Sequence, residues 1–128
     1  MARFAVLFLD LDDFKNVNDR HGHAVGDAVL QTLAGRWLEC VREGDLVARY
    51  GGDEFVLLIQ NAGTAADVEP VIRRVEQATA QPVIVGELTL TVAATIGWAT
   101  PAGPDWIVDG LLAEADRSMY ARKRKSPR

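Results

Sequence analysis

Five acidic residues stand beside features that could gather them into one site. Three follow an apolar run at residues 4–9 and two follow a pair of glycines; they are Asp10, Asp12, Asp13, Asp53 and Glu54. If these segments are neighbours in the fold, the carboxylates converge, and buried like charges require a cation to neutralise them. A few carboxylates that leave coordination positions for phosphate oxygens describe a site for Mg²⁺ or Mn²⁺. The sequence therefore predicts a metal site that receives an anionic substrate.

Gly51 and Gly52 immediately precede the second pair of acids. Glycine lets the backbone take positive φ and lets a ligand approach closely, so we expect this turn to lie against the substrate. Taken alone, Gly-Gly-Asp-Glu is better explained by an ordinary hairpin turn with solvated acids. The other motifs of the chain are therefore needed to choose between the two interpretations.

The elements that must position these acids follow from the apolar pattern. Residues 4–9 are apolar on both faces and predict a central strand. We then expect a loop over residues 12–26, followed by a helix that has its apolar stripe over 29–41 and stops at Gly44. A hairpin of strands 46–50 and 55–59 comes next, and then a helix around 68–75 with Pro70 in its first turn. Strands 82–85 and 88–96 and a last helix over 108–123 complete the pattern. This order predicts an α+β fold with a central, mainly antiparallel sheet and helices packed around it.

Composition limits the class of protein. The 128 residues, 48% of them hydrophobic, fit one domain with its own core. The net charge of −4 argues against a protein that coats nucleic acid or lies on a membrane, although local groups can still bind a nucleotide. The single cysteine, Cys40, excludes a disulfide framework and favours a reducing cytoplasm. The longest early apolar run is too short for a membrane span.

Residues 49–55 read Arg-Tyr-Gly-Gly-Asp-Glu-Phe and match the signature for which GGDEF domains are named. Residues 8–27 resemble the strand, phosphate loop and guanine pocket of that family in order and spacing, and residues 95–97 and 115–120 resemble its later strand and closing helix. The chain is thus identified as similar to GGDEF diguanylate cyclases over nearly its whole length. The resemblance implies a ferredoxin-like βαββαβ core, similar to nucleotidyl cyclases and the polymerase palm. It also implies condensation of two GTP molecules into cyclic di-GMP and two pyrophosphates.

The family resemblance assigns roles to individual residues. Asp10, Asp53 and the main-chain carbonyl of Leu11 become the ligands of Mg²⁺ or Mn²⁺, and Asp53 or Glu54 becomes the acceptor of the 3′-hydroxyl proton. The implied substrate-binding residues are Asp12, Asp13, Phe14 and Lys15 for phosphate, Asn18 and Asp27 for guanine, Gly51 and Gly52 in the turn, and Lys123 for phosphate. The alternative for Lys123 is a surface lysine that complements the dipole at a helix C-terminus.

Arg42 and Asp45 form an Arg-x-x-Asp motif whose aspartate lies eight residues before Asp53. In GGDEF proteins this motif binds the cyclic product and gives feedback inhibition, since an arginine fork suits guanine and phosphate oxygens. Arg73 on the next helix is a candidate second contact. The resemblance therefore implies an inhibitory product site built from Arg42, Asp45 and Arg73.

The chain departs from the family pattern at both ends. It lacks the usual N-terminal helix, and it ends in Ser-Pro-Arg where the family usually has Gly-Arg-Asn. We expect residues 1–128 to be a single domain taken from a larger signalling protein of the cytoplasm, without direct membrane contact and without a nucleic-acid partner. Catalysis would need a homodimer, because each half-site supplies one GTP. The alternative is a non-catalytic module that binds GTP or cyclic di-GMP and regulates an attached domain such as a phosphodiesterase.

Overall fold

The computed structural model describes residues 3–103 and 105–125, and these residues form six strands and four helices. In chain order the elements are β1 Phe4–Asp12, α1 Phe14–His21, α2 His23–Cys40, β2 Leu46–Arg49, β3 Glu54–Gln60, α3 Ala65–Ala80, β4 Val83–Val85, β5 Leu88–Leu90, β6 Ala93–Ala99 and α4 Val108–Lys125.

Strand β1 lies in the middle of a four-stranded antiparallel sheet with the order β2-β3-β1-β6. Residues 5–9 of β1 are buried without alternation, because helices cover both of its faces. Strand order and connections are those of a ferredoxin-like βαββαβ core. The α+β fold class and the central position of the first strand are confirmed.

The two faces of β1 pack against different helices. Odd-numbered residues, from Ala5 to Leu11, join the large core beneath α2 and α3. Even-numbered Val6 and Phe8 join a smaller cluster with Ala115 and Met119 of α4. Because side chains alternate along a strand, Asp10 and Asp12 continue the face that α4 covers. This alternation brings the first acids of the chain beneath the last helix.

The expected loop over residues 12–26 is wrong. It is helical over most of its length, as α1 and the first turns of α2, joined at Gly22 with φ 90°. The helical period is hard to detect in α1 because its only buried residue is Phe14. Helix α2 ends at Cys40, and Gly44, with φ 93°, belongs to the turn after it rather than to the helix end.

Two further expectations need correction. The strand predicted over residues 88–96 is divided at residues 91–92: β5 pairs with β4 in a separate hairpin, whereas β6 pairs with β1. Helix α3 is capped by Thr64, so Pro70 is its sixth residue and not part of its first turn. There its missing N–H removes one bond within the helix, to the carbonyl of Ala66. The predicted hairpin of β2 and β3 is confirmed.

Candidate active site

Three strands bring polar side chains to the end of β1. Asp10 is directly opposite Glu54 on β3 and Thr95 on β6. Directly opposed residues project to the same face of a sheet, here the face covered by α4. Thr95 also donates its hydroxyl hydrogen to Oδ1 of Asp12 over 2.7 Å. The acids that the sequence pattern singled out near residues 10 and 53 do converge.

Helix α4 adds a cation to this group. Lys123 Nζ lies 2.8 Å from Asp10 Oδ2 and 3.5 Å from Asp12 Oδ1. The position of α4 depends on Gly97 of β6, because a Cβ at that position would collide with the backbone of Ala115 and Met119. Met119 is one helical turn before Lys123, so the contact at the glycine directs the lysine towards the acids. Lys123 is thus not a surface lysine that only complements a helix end.

The acids outnumber this one cation, and their pKa values respond. Burial raises the pKa of Asp10, the hydrogen bond from Lys123 opposes it, and the charge of Asp53 raises it further. Burial also raises the pKa of Glu54, with further increases from the charges of Asp10, Asp116 and Asp53. Burial lowers the pKa of Lys123, but its bonds and charge interactions with the acids outweigh that effect and raise it. The site therefore favours additional positive charge.

Arg49 holds the glycine turn through backbone carbonyls. Its Nη2 donates to Gly52 O over 2.7 Å, and its Nε lies 3.2 Å from Gly51 O. Neither glycine has positive φ, so that part of the expectation is wrong. A Cβ at position 51 would lie 2.8 Å from Glu54 Oε1, so the glutamate side chain would have to shift, whereas no atom of the described residues lies within 4 Å of a Cβ added at Gly52. A ligand can therefore approach the turn at Gly52.

The residues present fit a divalent cation. Asp10 Oδ1 is buried and has no hydrogen-bond partner among the described residues. The Leu11 N–H donates to Asp53 O over 3.1 Å, which ties the two predicted ligand segments together. In residues 3–103 and 105–125 no three His, Cys, Asp or Glu side chains form a ready metal cage. A divalent cation such as Mg²⁺ is often held by one or two carboxylates together with substrate phosphates.

The predicted phosphate and guanine residues lie on α1 and α2. Asp13 precedes α1 with φ 59°, and its side chain caps none of the described backbone N–H groups. Phe14 is buried and Lys15 is exposed. Aspartate adopts the left-handed conformation more readily than most other residues, and this turn lets the chain pass from β1 directly into α1. The N-terminus of α1 therefore begins directly beyond the acids of β1.

Gly26 allows α1 and α2 to approach closely, because a Cβ there would collide with the side chain of Asn18. Asn18 is half-buried at this junction, and Asp27 is exposed on α2. Asp27 lines a cleft together with Phe55 and with Arg49, the last residue of β2. The predicted guanine residue thus lines the same cleft as the arginine that holds the glycine turn.

The Arg-x-x-Asp motif lies away from this site, in the turn between α2 and β2. Asp45 accepts hydrogen bonds from Arg42 N over 2.9 Å and from Gln60 N over 2.8 Å. Arg42 and Asp45 line a cleft with Arg74, whose guanidinium also donates to Cys40 O over 3.2 Å. The predicted second contact, Arg73, is exposed beside Glu69 and does not line that cleft.

Sequence reasoning missed three residues that shape the site. Thr95 binds Asp12, Arg49 binds the turn carbonyls, and Asp116 raises the pKa of Glu54. All three lie in segments that the family resemblance covered, residues 49–55, 95–97 and 115–120, and that resemblance was the available signal. The Ser-Pro-Arg sequence at residues 126–128, which differs from the usual Gly-Arg-Asn of the family, lies outside the described residues.

A ferredoxin-like sheet with acids at the end of its central strand and on the adjacent hairpin defines a domain of the cyclase palm class. The family model for "Diguanylate cyclase, GGDEF domain" matches residues 1–127. The chain belongs to the GGDEF domain family.

Similar proteins agree with this assignment. The chain is 42% identical to the bifunctional diguanylate cyclase/cyclic di-GMP phosphodiesterase MucR of Pseudomonas aeruginosa, over 94% of the chain and 18% of MucR. It is 39% identical to the diguanylate cyclase TpbB of Pseudomonas aeruginosa, over 97% of the chain and 29% of TpbB. The crystal structure of the TpbB GGDEF domain matches with a TM-score of 0.91 and 39% identity, over 98% of this chain and 78% of that one.

The chain spans less than a third of the length of these two relatives. Each relative carries more sequence than the domain shared with this chain. None of the helices within residues 3–103 and 105–125 has the length and apolar character required to cross a membrane.

Proposed function

We propose that this chain is a diguanylate cyclase domain that condenses two GTP molecules into cyclic di-GMP and two pyrophosphates. The observation that carries the proposal is the group at the end of β1: the Asp10 oxygen that has no partner among the described residues, the adjacent Asp53 segment and the ammonium of Lys123. Membership of the GGDEF family supports the same reaction. A cytoplasmic location agrees with a single cysteine, Cys40.

Asp10 and Asp53, with the carbonyl of Leu11, would hold Mg²⁺ or Mn²⁺. The ion supplies charge stabilisation for triphosphate oxygens and for the departing pyrophosphate. Lys15 and Lys123 contribute positive charge from the protein, and the first N–H groups of α1 donate to phosphate oxygens. Arg49 keeps the glycine turn in a fixed conformation, which maintains Asp53 in its position relative to Asp10.

We assign acceptance of the 3′-hydroxyl proton to Glu54, because Asp53 is taken as a ligand of the cation and Glu54 lies directly opposite Asp10 in the sheet. A carboxylate with a raised pKa accepts a proton more readily near neutral pH. Burial and three neighbouring acids raise the pKa of Glu54, whereas Asp53 is assigned to the cation. Asn18 and Asp27 would read guanine, because a carboxylate that accepts from N1–H and the exocyclic amine gives a pairing that adenine cannot reproduce.

Each domain supplies one GTP, so the reacting unit is a homodimer whose two sites face each other. The cleft at Arg42 and Asp45 would bind cyclic di-GMP and inhibit the enzyme. Arg74 supports this assignment by adding a second cation to the cleft, which Asp67 also lines.

A second candidate is a regulatory module that binds GTP or cyclic di-GMP without turnover. The name of the relative MucR, a bifunctional diguanylate cyclase/cyclic di-GMP phosphodiesterase, supports this second candidate. Under this alternative the domain would transmit nucleotide binding to an attached phosphodiesterase. The intact acids at residues 10, 53 and 54 favour catalysis.

The decisive experiment measures conversion of GTP to cyclic di-GMP with Mg²⁺, with the chain fused to a dimerising coiled coil. Asp53→Asn keeps the size of the side chain and removes its charge, and Glu87→Gln, at an exposed turn, is the matched control. We expect product from the parent and from Glu87→Gln, and a loss of at least about 100-fold for Asp53→Asn. A folded dimer that binds cyclic di-GMP but makes none would support the regulatory module instead.

A further inference from the structure

Lys123 occupies the position where a cation balances the acids of β1. Its Nζ contacts Asp10 Oδ2 at 2.8 Å and lies 3.5 Å from Asp12 Oδ1. The lysine side chain is 30% exposed and that of Asp10 is 17% exposed, so water screens the pair only in part. The contact is therefore an ion pair between a partly buried acid and the last helix.

The contact between Lys123 and the two acids follows from the alternation of side chains on β1 and from the packing of α4 on the sheet. Asp10 and Asp12 share a face because they are two residues apart on β1. Met119 packs where only Gly97 leaves room, and Lys123 follows Met119 by one helical turn. Both the strand alternation and the glycine contact direct the ammonium to the same pair of carboxylates.

A divalent cation and the ammonium compete for the same carboxylate. A divalent cation would be held by Asp10 beside the ammonium, because Oδ1 has no hydrogen-bond partner among the described residues while Oδ2 contacts Lys123 Nζ. Two cations held so close repel each other in a partly buried site. Triphosphate oxygens offset this repulsion, because they bind the metal and also accept hydrogen bonds from the ammonium of the lysine.

We propose that Lys123 is the resident counter-ion of the metal-site acids and makes metal binding depend on the nucleotide. Before substrate arrives, the ammonium neutralises Asp10 and Asp12 and keeps affinity for free metal low. When the nucleotide enters with the metal, the ammonium moves from the carboxylates to triphosphate oxygens. This inference rests on the proposed function in taking the acids as metal ligands.

The test measures binding of Mn²⁺ alone, without nucleotide, by electron paramagnetic resonance and calorimetry on the full chain. Lys123→Met removes the ammonium and keeps a long apolar side chain, whereas Lys123→Arg keeps the charge. Arg122→Met is the matched control, because it removes a cation from an exposed position one residue away on α4.

We expect Lys123→Met to bind Mn²⁺ about tenfold or more tightly than the parent chain, and Arg122→Met and Lys123→Arg to remain close to it. Adding Asp53→Asn to Lys123→Met should abolish the gain, which locates the ion. The same Lys123→Met change should weaken binding of Mn²⁺ with a non-hydrolysable GTP analogue. Unchanged or undetectable Mn²⁺ binding in Lys123→Met would overturn the inference.

Thermal unfolding provides a readout that does not need catalysis. Lys123→Met leaves Asp10 without its cation, so we expect a lower melting temperature that Mn²⁺ restores more strongly than it stabilises the parent. A melting temperature that Mn²⁺ leaves unchanged would oppose the proposal. If Mn²⁺ binding changes as expected and the fused dimer still makes no cyclic di-GMP, the inference stands and the proposed function fails. If synthesis is normal and Mn²⁺ binding is unaltered, the proposed function stands and the inference fails.

Discussion

At the scale of single residues, the chain uses carboxylates in two different ways. The acids at the end of β1 are partly buried and exceed their cations, which favours a bound metal. Asp45 and Asp67 instead accept hydrogen bonds from nearby backbone and hold turns in place. The difference lies in what surrounds each oxygen, and neither role is apparent from the residue type alone.

Arg42 is the residue on which product inhibition should depend. Hydrogen bonds to charged groups contribute about 1.5–3 kcal/mol, so Arg42→Ala should weaken binding of cyclic di-GMP about tenfold or more. Its initial rate of GTP turnover should stay near that of the parent, because the motif lies outside the acidic site. Calorimetry with cyclic di-GMP and initial-rate assays measure the two effects separately.

The same titrations distinguish the two neighbouring arginines. Arg74 lines the cleft with Arg42, whereas Arg73 is exposed beside Glu69. Arg74→Ala should therefore weaken product binding more than Arg73→Ala. Equal affinity in the parent and in Arg42→Ala would contradict a product site at this motif.

Asp67 gives a prediction for stability against pH. Hydrogen bonds from the backbone of Gly63 and the side chain of Thr64 come first among the causes that lower the pKa of Asp67 below its ordinary 3.8. A depressed pKa stabilises the fold at pH values above that of the unfolded carboxyl, and this stabilisation disappears as the pH falls through the folded value. Asp67→Asn should therefore lower the urea midpoint at pH 7, and the difference from the parent should shrink below about pH 4.

Glu69→Gln on the same helix is the control for this measurement. Glu69 is exposed and has only a 4.0 Å ion pair with Arg73. We expect a difference of a few tenths of a kcal/mol at most. A gap for Asp67→Asn that stays constant from pH 7 to pH 3 would show that its carboxylate charge is not what stabilises the turn.

At the scale of elements, α4 determines how the site is assembled. It packs on β6 and β1, and it contributes Lys123, Asp116 and the apolar residues that cover Val6 and Phe8. The helix approaches the sheet as closely as the absence of a side chain at Gly97 permits. The site therefore depends on helix packing as much as on the glycine turn.

Gly97→Ala tests this dependence. The added methyl group meets the backbone of α4, which cannot move aside as a flexible side chain can, and overpacking of this kind costs about 1–3 kcal/mol. We expect lower stability in urea and a larger loss of GTP turnover than the stability change explains, because Lys123 shifts with the helix. Unfolding curves and initial rates on folded protein measure both effects.

Gly35→Ala is the matched control. Gly35 lies in the middle of α2 with no atom within 4 Å of the added Cβ. Alanine is a better helix former than glycine there, by about 0.5–1 kcal/mol, so the variant should be as stable as the parent or more so. Equal stability of the two glycine variants would mean that α4 is not tightly packed at Gly97.

At the scale of the whole molecule, the sequence was sufficient for the sheet and its central strand. Strand β1 is predictable because its apolar run has no polar face, and the hairpin because two apolar runs flank Gly51 and Gly52. Helix α1 was not, since its single buried residue leaves no visible period. The break between β5 and β6 was also hidden, because the alternation of apolar residues continues across both strands.

The acidic site also has a part that the sequence predicts and a part that it does not. Residue types and spacing pointed to Asp10, Asp53 and Glu54 as candidates, because acidic residues next to predicted strand ends can be recognised in the sequence itself. The contacts of Lys123, Thr95 and Arg49 depend on how separate elements meet, over as many as 113 residues of sequence for Lys123 and Asp10. Pairings of that length follow from packing and are not visible in a local pattern.

The last prediction concerns the assembly that catalysis requires. Each domain would supply one GTP and one set of acids, so two loaded chains must meet before bonds can form. For the unfused chain at concentrations below its dimer dissociation constant, the rate of cyclic di-GMP synthesis should rise with the square of the enzyme concentration, whereas the coiled-coil fusion should give a linear rise.

Mixing a fused Asp53→Asn chain with a fused parent chain should produce heterodimers that contain one intact metal site. Because both phosphodiester bonds of the ring are needed for product, and each depends on one site, such mixtures should release the linear dinucleotide intermediate in place of part of the cyclic product. A linear dependence for the unfused chain, with a monomeric mass by sedimentation, would instead mean that a single domain completes the reaction, and the homodimer proposal would fail.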